Sequence, residues 1–228
     1  MAADRRAVIA MLALLALAAC DAPGVGPVSA AYDPTQATGG VRYRWAFGRE
    51  IAVYADTTGA PAGYDLRSAV AQAAGDWNAA TAYGDFTLRR VDDARAADVI
   101  FHFSGTPRLV VVGSCAPSGG GSGVTVLCNE PPVAPVLPFV EGGTGHVKVD
   151  VAVDPLRASE AQLQVAGLTR AEHFLSLVVH EMGHVVGIGG HSSSDADVMN
   201  SLPHVTAPSA GDVRTLRAVL RRPADVRL

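Results

Sequence analysis

His180, Glu181 and His184 stand in the order His-Glu-x-x-His. Four residues is about one helical turn, so two imidazoles at that spacing share a face and can point at one ion. Imidazole nitrogen suits zinc, and a carboxylate beside the first ligand flanks the open side of the ion, where it can take a proton from water. The pattern describes a zinc site with a base next to it. A pair of satisfied core histidines would require neither the glutamate nor the helix signals that surround the motif.

Those signals are local and specific. Thr169 followed three residues later by Glu172 is a capping-box pair, and an apolar run begins directly after it, so a helix is expected to start near Arg170. Phe174, Leu177, Val178, Met182 and Val185 give that helix a broad apolar surface with which to bury itself and hold its two histidines. Gly187 ends it, because glycine accepts the left-handed conformation that turns a chain at a helix C-terminus. The turn offers His191 as a third ligand, with Asp195, Asp197 and His204 as alternatives further on.

The stretch resembles the zinc motif of the metzincin metallopeptidases, His-Glu-x-x-His-x-x-Gly-x-x-His followed by a methionine-containing turn. The match departs from the family at one point. Gly190 occupies the third-ligand position and His191 arrives one residue late, an offset that a bulge within Ile188-Gly189-Gly190 would absorb. Downstream, Asp197-Val198-Met199-Asn200 is similar to the family's Met-turn, and Ser209 to Val213 to the start of its closing helix. Matrixins are the nearest branch: Ala97 to Phe103 looks like their strand before the substrate-binding edge, and Trp77 sits where their first helix commonly carries a tryptophan. The resemblance covers Val41 to Leu220, strongly at the zinc motif and loosely elsewhere.

It implies an α+β, zincin/metzincin-like domain and zinc-dependent cleavage of peptide bonds in extended substrates. His180, His184 and His191 would hold the metal, Glu181 would act as catalytic base, and Met199 would form an apolar floor under the ion. Matrixins also carry structural metals. His146 and Asp150 could serve one, but the family's dense Asp/His loop is absent, calcium has no support, and Asp150 reads as a solvated strand residue. A thermolysin-like centre is excluded because Glu181 is the last glutamate of the chain.

The N-terminal end carries a different kind of information. Arg5 and Arg6 precede an apolar run from Ala7 to Ala19, too short to span a bilayer and right for a signal-peptide core. Leu17-Ala18-Ala19-Cys20 resembles a bacterial lipobox, which implies removal of residues 1–19 and lipidation of Cys20. The product would be anchored to a membrane of the cell envelope, inner or outer, or exported if the segment is an ordinary secretory signal cut nearby. Losing one acid and two bases with the signal takes the formal charge from −4 to −5, so no basic surface favours nucleic acid. The expected partners are a peptide substrate and the membrane, with the chain a monomer. The remaining cysteines, Cys115 and Cys128, form an even pair that an exported protein would join as a disulfide.

Residues 20–40, rich in Ala, Gly, Pro and Thr and without periodicity, read as a flexible tether to a single domain over 41–228. Strands are expected at Val41 to Phe47, Ile51 to Tyr54, Phe86 to Val91 and Asp98 to Phe103. Short strands at Leu109 to Val112 and Val124 to Cys128 lie in a loop-rich insert, and the valines of His146 to Val153 alternate as one strand face. His102 reads as structural or solvated. A helix capped by Asp65 backs the sheet, and another from Ala210 to Arg221, capped by Ser209, closes the chain. A twisted mixed sheet with a backing helix, an active-site helix and a C-terminal helix is the architecture expected. The rival to an enzyme is a lipid-anchored binding protein that keeps the zinc domain without turnover.

Overall fold

The computed structural model of the chain describes residues 30–40, 42–81, 84–104, 123–130, 146–223 and 226–227. It is a mixed α/β structure built on a five-stranded sheet in the order β3-β2-β4-β6-β5. The strands are β2 (Arg49–Asp56), β3 (Phe86–Arg90), β4 (Val99–Phe103), β5 (Gly123–Glu130) and β6 (His146–Val153). The first four in sheet order run parallel, and β5 is antiparallel at the edge. Parallel neighbours need crossovers, and α1 (Leu66–Ala80) supplies the one from β2 to β3.

Residue types set the faces of the sheet. Side chains alternate along a strand, so Ile51, Val53 and Ala55 of β2, Val99, Phe101 and Phe103 of β4, and Val149, Val151 and Val153 of β6 all enter one core. The registers Val53↔Val99↔Val149 and Ala55↔Phe101↔Val151 align them in rows across three strands. The opposite face is also covered: Tyr54 and Ile100 pack there with Ala94 and Ala97. A parallel sheet buried on both sides is the usual solution for such strands.

That second face corrects the reading of Asp150. Its position opposite the valines suggested solvent, but its relative exposure is only 3%. It faces His102 Nε2 at 3.3 Å, while His102 Nδ1 donates to the Phe103 carbonyl at 3.0 Å. Alternation placed both residues away from the main core; coverage of the second face removed them from water.

Four helices complete the described fold. Asp65 caps α1 by accepting from the Ser68 amide, and alanines at 69, 73, 74 and 80 let the helix approach closely. The Trp77 indole donates to the Val179 carbonyl at 2.8 Å, tying α1 to the helix that carries the histidines. Asn78 binds both backbone groups of Leu88 and fastens α1 to β3. A short helix not expected from the sequence, α2 (Glu160–Ala166), has its own Ser159/Gln162 capping box and ends on left-handed Gly167. The helices α3 (Arg170–Val185) and α4 (Ala210–Arg221) carry the expected Thr169 and Ser209 caps.

A two-residue parallel pair joins β1 (Tyr43–Arg44) to β7 (Val226–Arg227), where a longer first strand was expected. Residues 31–40, expected to be tether, instead lie on the domain: the Tyr32 hydroxyl donates to Asp212 at 2.7 Å and the Ala37 amide to the Gly189 carbonyl at 2.8 Å. Among the described residues no helix is long and apolar enough to cross a membrane. The expected signal peptide, Cys20, Cys115 and the strand at Leu109 to Val112 lie outside the described residues, as does the Cys115–Cys128 pairing.

Candidate metal centre

Helix α3 delivers His180 and His184 on one face, and its C-terminal turn delivers the third imidazole. After Val185 the chain is stopped by Val186 and turned by Gly187 at φ 115°. A Cβ at Gly187 would stand 2.8 Å from the Tyr43 carbonyl, so glycine is needed there for room as well as for its dihedral. The Ile188 amide donates back to the Gly183 carbonyl at 3.0 Å, which starts the return of the chain. His191 then meets the other two: one potential ligand atom from each of His180, His184 and His191 lies within 4.8 Å of the others. Ring centroids are 4.8 to 5.2 Å apart, with His191 roughly parallel to His180 and edge-on to His184.

Two of the rings are held by main-chain carbonyls. His180 Nδ1 donates to Val198 O at 2.8 Å, and His184 Nδ1 donates to Ile188 O at 2.6 Å. A carbonyl can only accept, so Nδ1 carries the hydrogen and Nε2 keeps its lone pair. Burial pushes His180 well below the ordinary imidazole range, with His184 beside it adding to the effect, and burial likewise lowers His184. His191 is lowered to about 4, by burial first and then by His184. At neutral pH the three are uncharged donors, the form that binds a metal.

Met199, expected as the apolar floor, is fully buried and lies against Gly183 of α3. A Cβ at Gly183 would overlap the Met199 sulfur and stand 2.8 Å from Trp77 Cζ2, so glycine directly before His184 makes room for both side chains. Met199 sits on a turn wired to the third ligand's neighbour. Ser192 N donates to Met199 O at 2.8 Å, and Ser192 Oγ donates to Asp197 Oδ2 at 2.6 Å. Asp212 of α4, fully buried, receives the amides of Val198 and Met199 at 2.8 and 3.3 Å. Asp197 is therefore a bracing group, bonded also by Ser209 Oγ. Asp195 is exposed, with His204 Nε2 at 3.8 Å, and none of these three alternatives joins the histidine group.

Glu181 is buried beside His180, with 3% exposure. Its Oε2 accepts from Thr125 Oγ1 of β5 at 2.5 Å, and a Cβ at Gly123 would come within 2.7 Å of its Cδ. Burial raises its pKa from 4.5 to about 7, and the Thr125 hydroxyl pulls the other way. Thr125 and Gly123 were not singled out from the sequence: they lie more than fifty residues from Glu181, and only the register of the edge strand brings them together. Tyr43, whose hydroxyl donates to His184 O at 2.7 Å, and Trp45, whose indole donates to Val185 O at 2.8 Å, were missed for the same reason. The three imidazoles can hold a metal ion, and the adjacent carboxylate can exchange a proton near neutral pH. No protein-family model matches this chain, and neither does any curated protein.

Proposed function

We propose that the chain is a zinc-dependent endopeptidase with a metzincin-like fold, nearest the matrixins, anchored to a membrane of the cell envelope through lipidated Cys20. The observation that carries this reading is the convergence of three neutral imidazoles with a buried carboxylate held beside them by Thr125. An all-nitrogen set of three ligands suits zinc and leaves a fourth position for chemistry. The mixed sheet with a backing helix, a histidine-bearing helix and a C-terminal helix is compatible with the expected α+β architecture.

His180, His184 and His191 would hold zinc through the nitrogens not engaged by carbonyls. Bound there, zinc supplies Lewis acidity, lowering the pKa of water and polarising the scissile carbonyl. Glu181 takes the proton from the attacking water and returns it to the leaving amine. Thr125 Oγ1 donates to Oε2 and Gly123 packs against Oε1, so the edge strand holds in place the carboxylate that exchanges the proton. Among the described residues β5 pairs with β6 alone, and an extended peptide would add to its other side by backbone pairing.

The test uses the chain from Asp21 onward. One zinc per chain, cleavage of a broad peptide library, and loss of cleavage with retained zinc in Glu181→Gln are the expected results. A Glu181→Gln protein that cleaves as fast as wild type would sink the catalytic assignment. Zinc bound without cleavage of any library member would favour the binding-protein reading instead.

A further inference from the structure

The one-residue displacement of His191 has a structural counterpart in the segment 31–40. Gly189 and Gly190 are both buried, and neither has a φ in the left-handed region. The backbone there does not demand glycine; the space does. A Cβ on Gly189 would stand 2.6 Å from Thr38 Cγ2 and 3.1 Å from the Pro34 carbonyl oxygen. A Cβ on Gly190 would overlap the Asp33 carbonyl oxygen and stand 3.3 Å from the Gln36 amide nitrogen. The Ala37 amide also donates to Gly189 O at 2.8 Å. Two bare residues thus lie against one turn of the preceding segment.

That turn is itself well fixed. Asp33 accepts from the amide and hydroxyl of Thr35 at 2.9 and 2.7 Å, and the amides of Thr38 and Gly40 close onto Thr35 O. Its upstream end is held to α4, with the Ala31 amide on Thr215 Oγ1 at 3.1 Å and the Tyr32 hydroxyl on Asp212 at 2.7 Å. Asp212 is the carboxylate that also receives the Val198 and Met199 amides.

We infer that residues 31–40 form a clamp that positions His191, and that the Gly189-Gly190 pair is fitted to it. The clamp is a positioning element for the metal centre, and the inference rests on that reading of the three histidines. A glycine pair has the largest backbone freedom of any dipeptide, so without its partner the loop would hold the third imidazole loosely. The clamp supplies from outside the order that the glycines lack, and a ligand held in place binds more tightly than one that must be ordered on binding.

The test is zinc affinity of the full mature chain, measured by competition with a chromophoric chelator, together with the visible spectrum of the cobalt(II) form. Gly190→Ala is expected to weaken zinc about 10- to 100-fold, the range seen when groups behind metal ligands are altered. Its cobalt spectrum should shift toward that of His191→Ala. In the His191→Ala background the same change should cost nothing further, because the clamp acts through that ligand. Tyr32→Phe, which removes only a hydroxyl, is the milder variant that keeps the fold, and about threefold to tenfold weaker zinc is expected. Gly190→Ala and Tyr32→Phe proteins that both bind zinc within twofold of wild type overturn the clamp, as does a loss fully additive with His191→Ala. Wild type that binds no zinc, or His191→Ala that binds it as wild type does, overturns the metal centre itself and the clamp with it.

Discussion

Two buried histidine and carboxylate groupings sit on opposite faces of the same sheet, and they differ in what the imidazole nitrogens are doing. On the α3 side, His180 and His184 each spend Nδ1 on a main-chain carbonyl and present the other nitrogen toward His191. On the far side, His102 spends Nδ1 on the Phe103 carbonyl and turns Nε2 to Asp150. The first arrangement keeps lone pairs converging on one point; the second leaves none over. Burial of a histidine is thus no mark of a ligand. The marks are a nitrogen without a protein partner and two more like it nearby.

The sharpest way to break the contrast is to remove the base. Glu181→Gln should lower kcat by about 10²- to 10⁴-fold with zinc content unchanged, read by peptide cleavage and metal analysis. Truncating a histidine on each face comes next. His180→Ala should weaken zinc by more than about 100-fold, beyond what loss of a group behind a ligand costs. His102→Ala should leave zinc affinity unchanged yet lower denaturant stability by about 3 kcal/mol, because buried Asp150 loses one of its partners and the site a buried ring. Zinc loss in the second variant would erase the distinction between the faces.

A pH experiment separates the carboxylates further. The folded pKa of Glu181 is raised to about 7 from 4.5, so between those values the native state holds a proton that the unfolded chain has released. Stability of the metal-free protein therefore falls as pH rises through that window. Metal-free Glu181→Gln lacks this loss. Relative to wild type it should gain up to about 3 kcal/mol above pH 7 and nothing from this source below pH 4.5, by denaturant titration at each pH. A constant difference across the range would argue against a buried, reluctant carboxylate.

The smallest effect concerns the hydroxyl on the base. Thr125→Val should reduce kcat by about tenfold, the worth of one hydrogen bond to a charged group, with KM little changed and Thr125→Ser restoring the rate. Equal damage from serine and valine would make Thr125 a packing residue only.

What the sequence made legible follows from how far apart the determining residues lie. The bounds of α3 were readable because Thr169, Glu172 and Gly187 are local signals. β6 was readable from its alternating valines, and α4 from Ser209 and the spacing of its apolar residues. Helix α2 passed unnoticed although Ser159, Gln162 and Gly167 announce it, because seven residues with two buried positions show no periodicity. Asp150 was misplaced because alternation says which face a residue takes and nothing about what covers that face. Thr125 and the clamp were invisible for a deeper reason. Each acts through a contact between segments remote in the chain, and the clamp does so mostly through backbone groups that composition cannot report.

The clamp also changes how far the domain can stand from a membrane. With Cys20 as the proposed anchor, only about ten residues separate it from the clamp. Fully extended, such a span reaches about 35 Å, half of what a leash running to residue 40 would allow. With that anchor the metal centre would be confined to a thin layer above the bilayer, and a substrate would have to be presented within that layer rather than drawn from the surrounding solution.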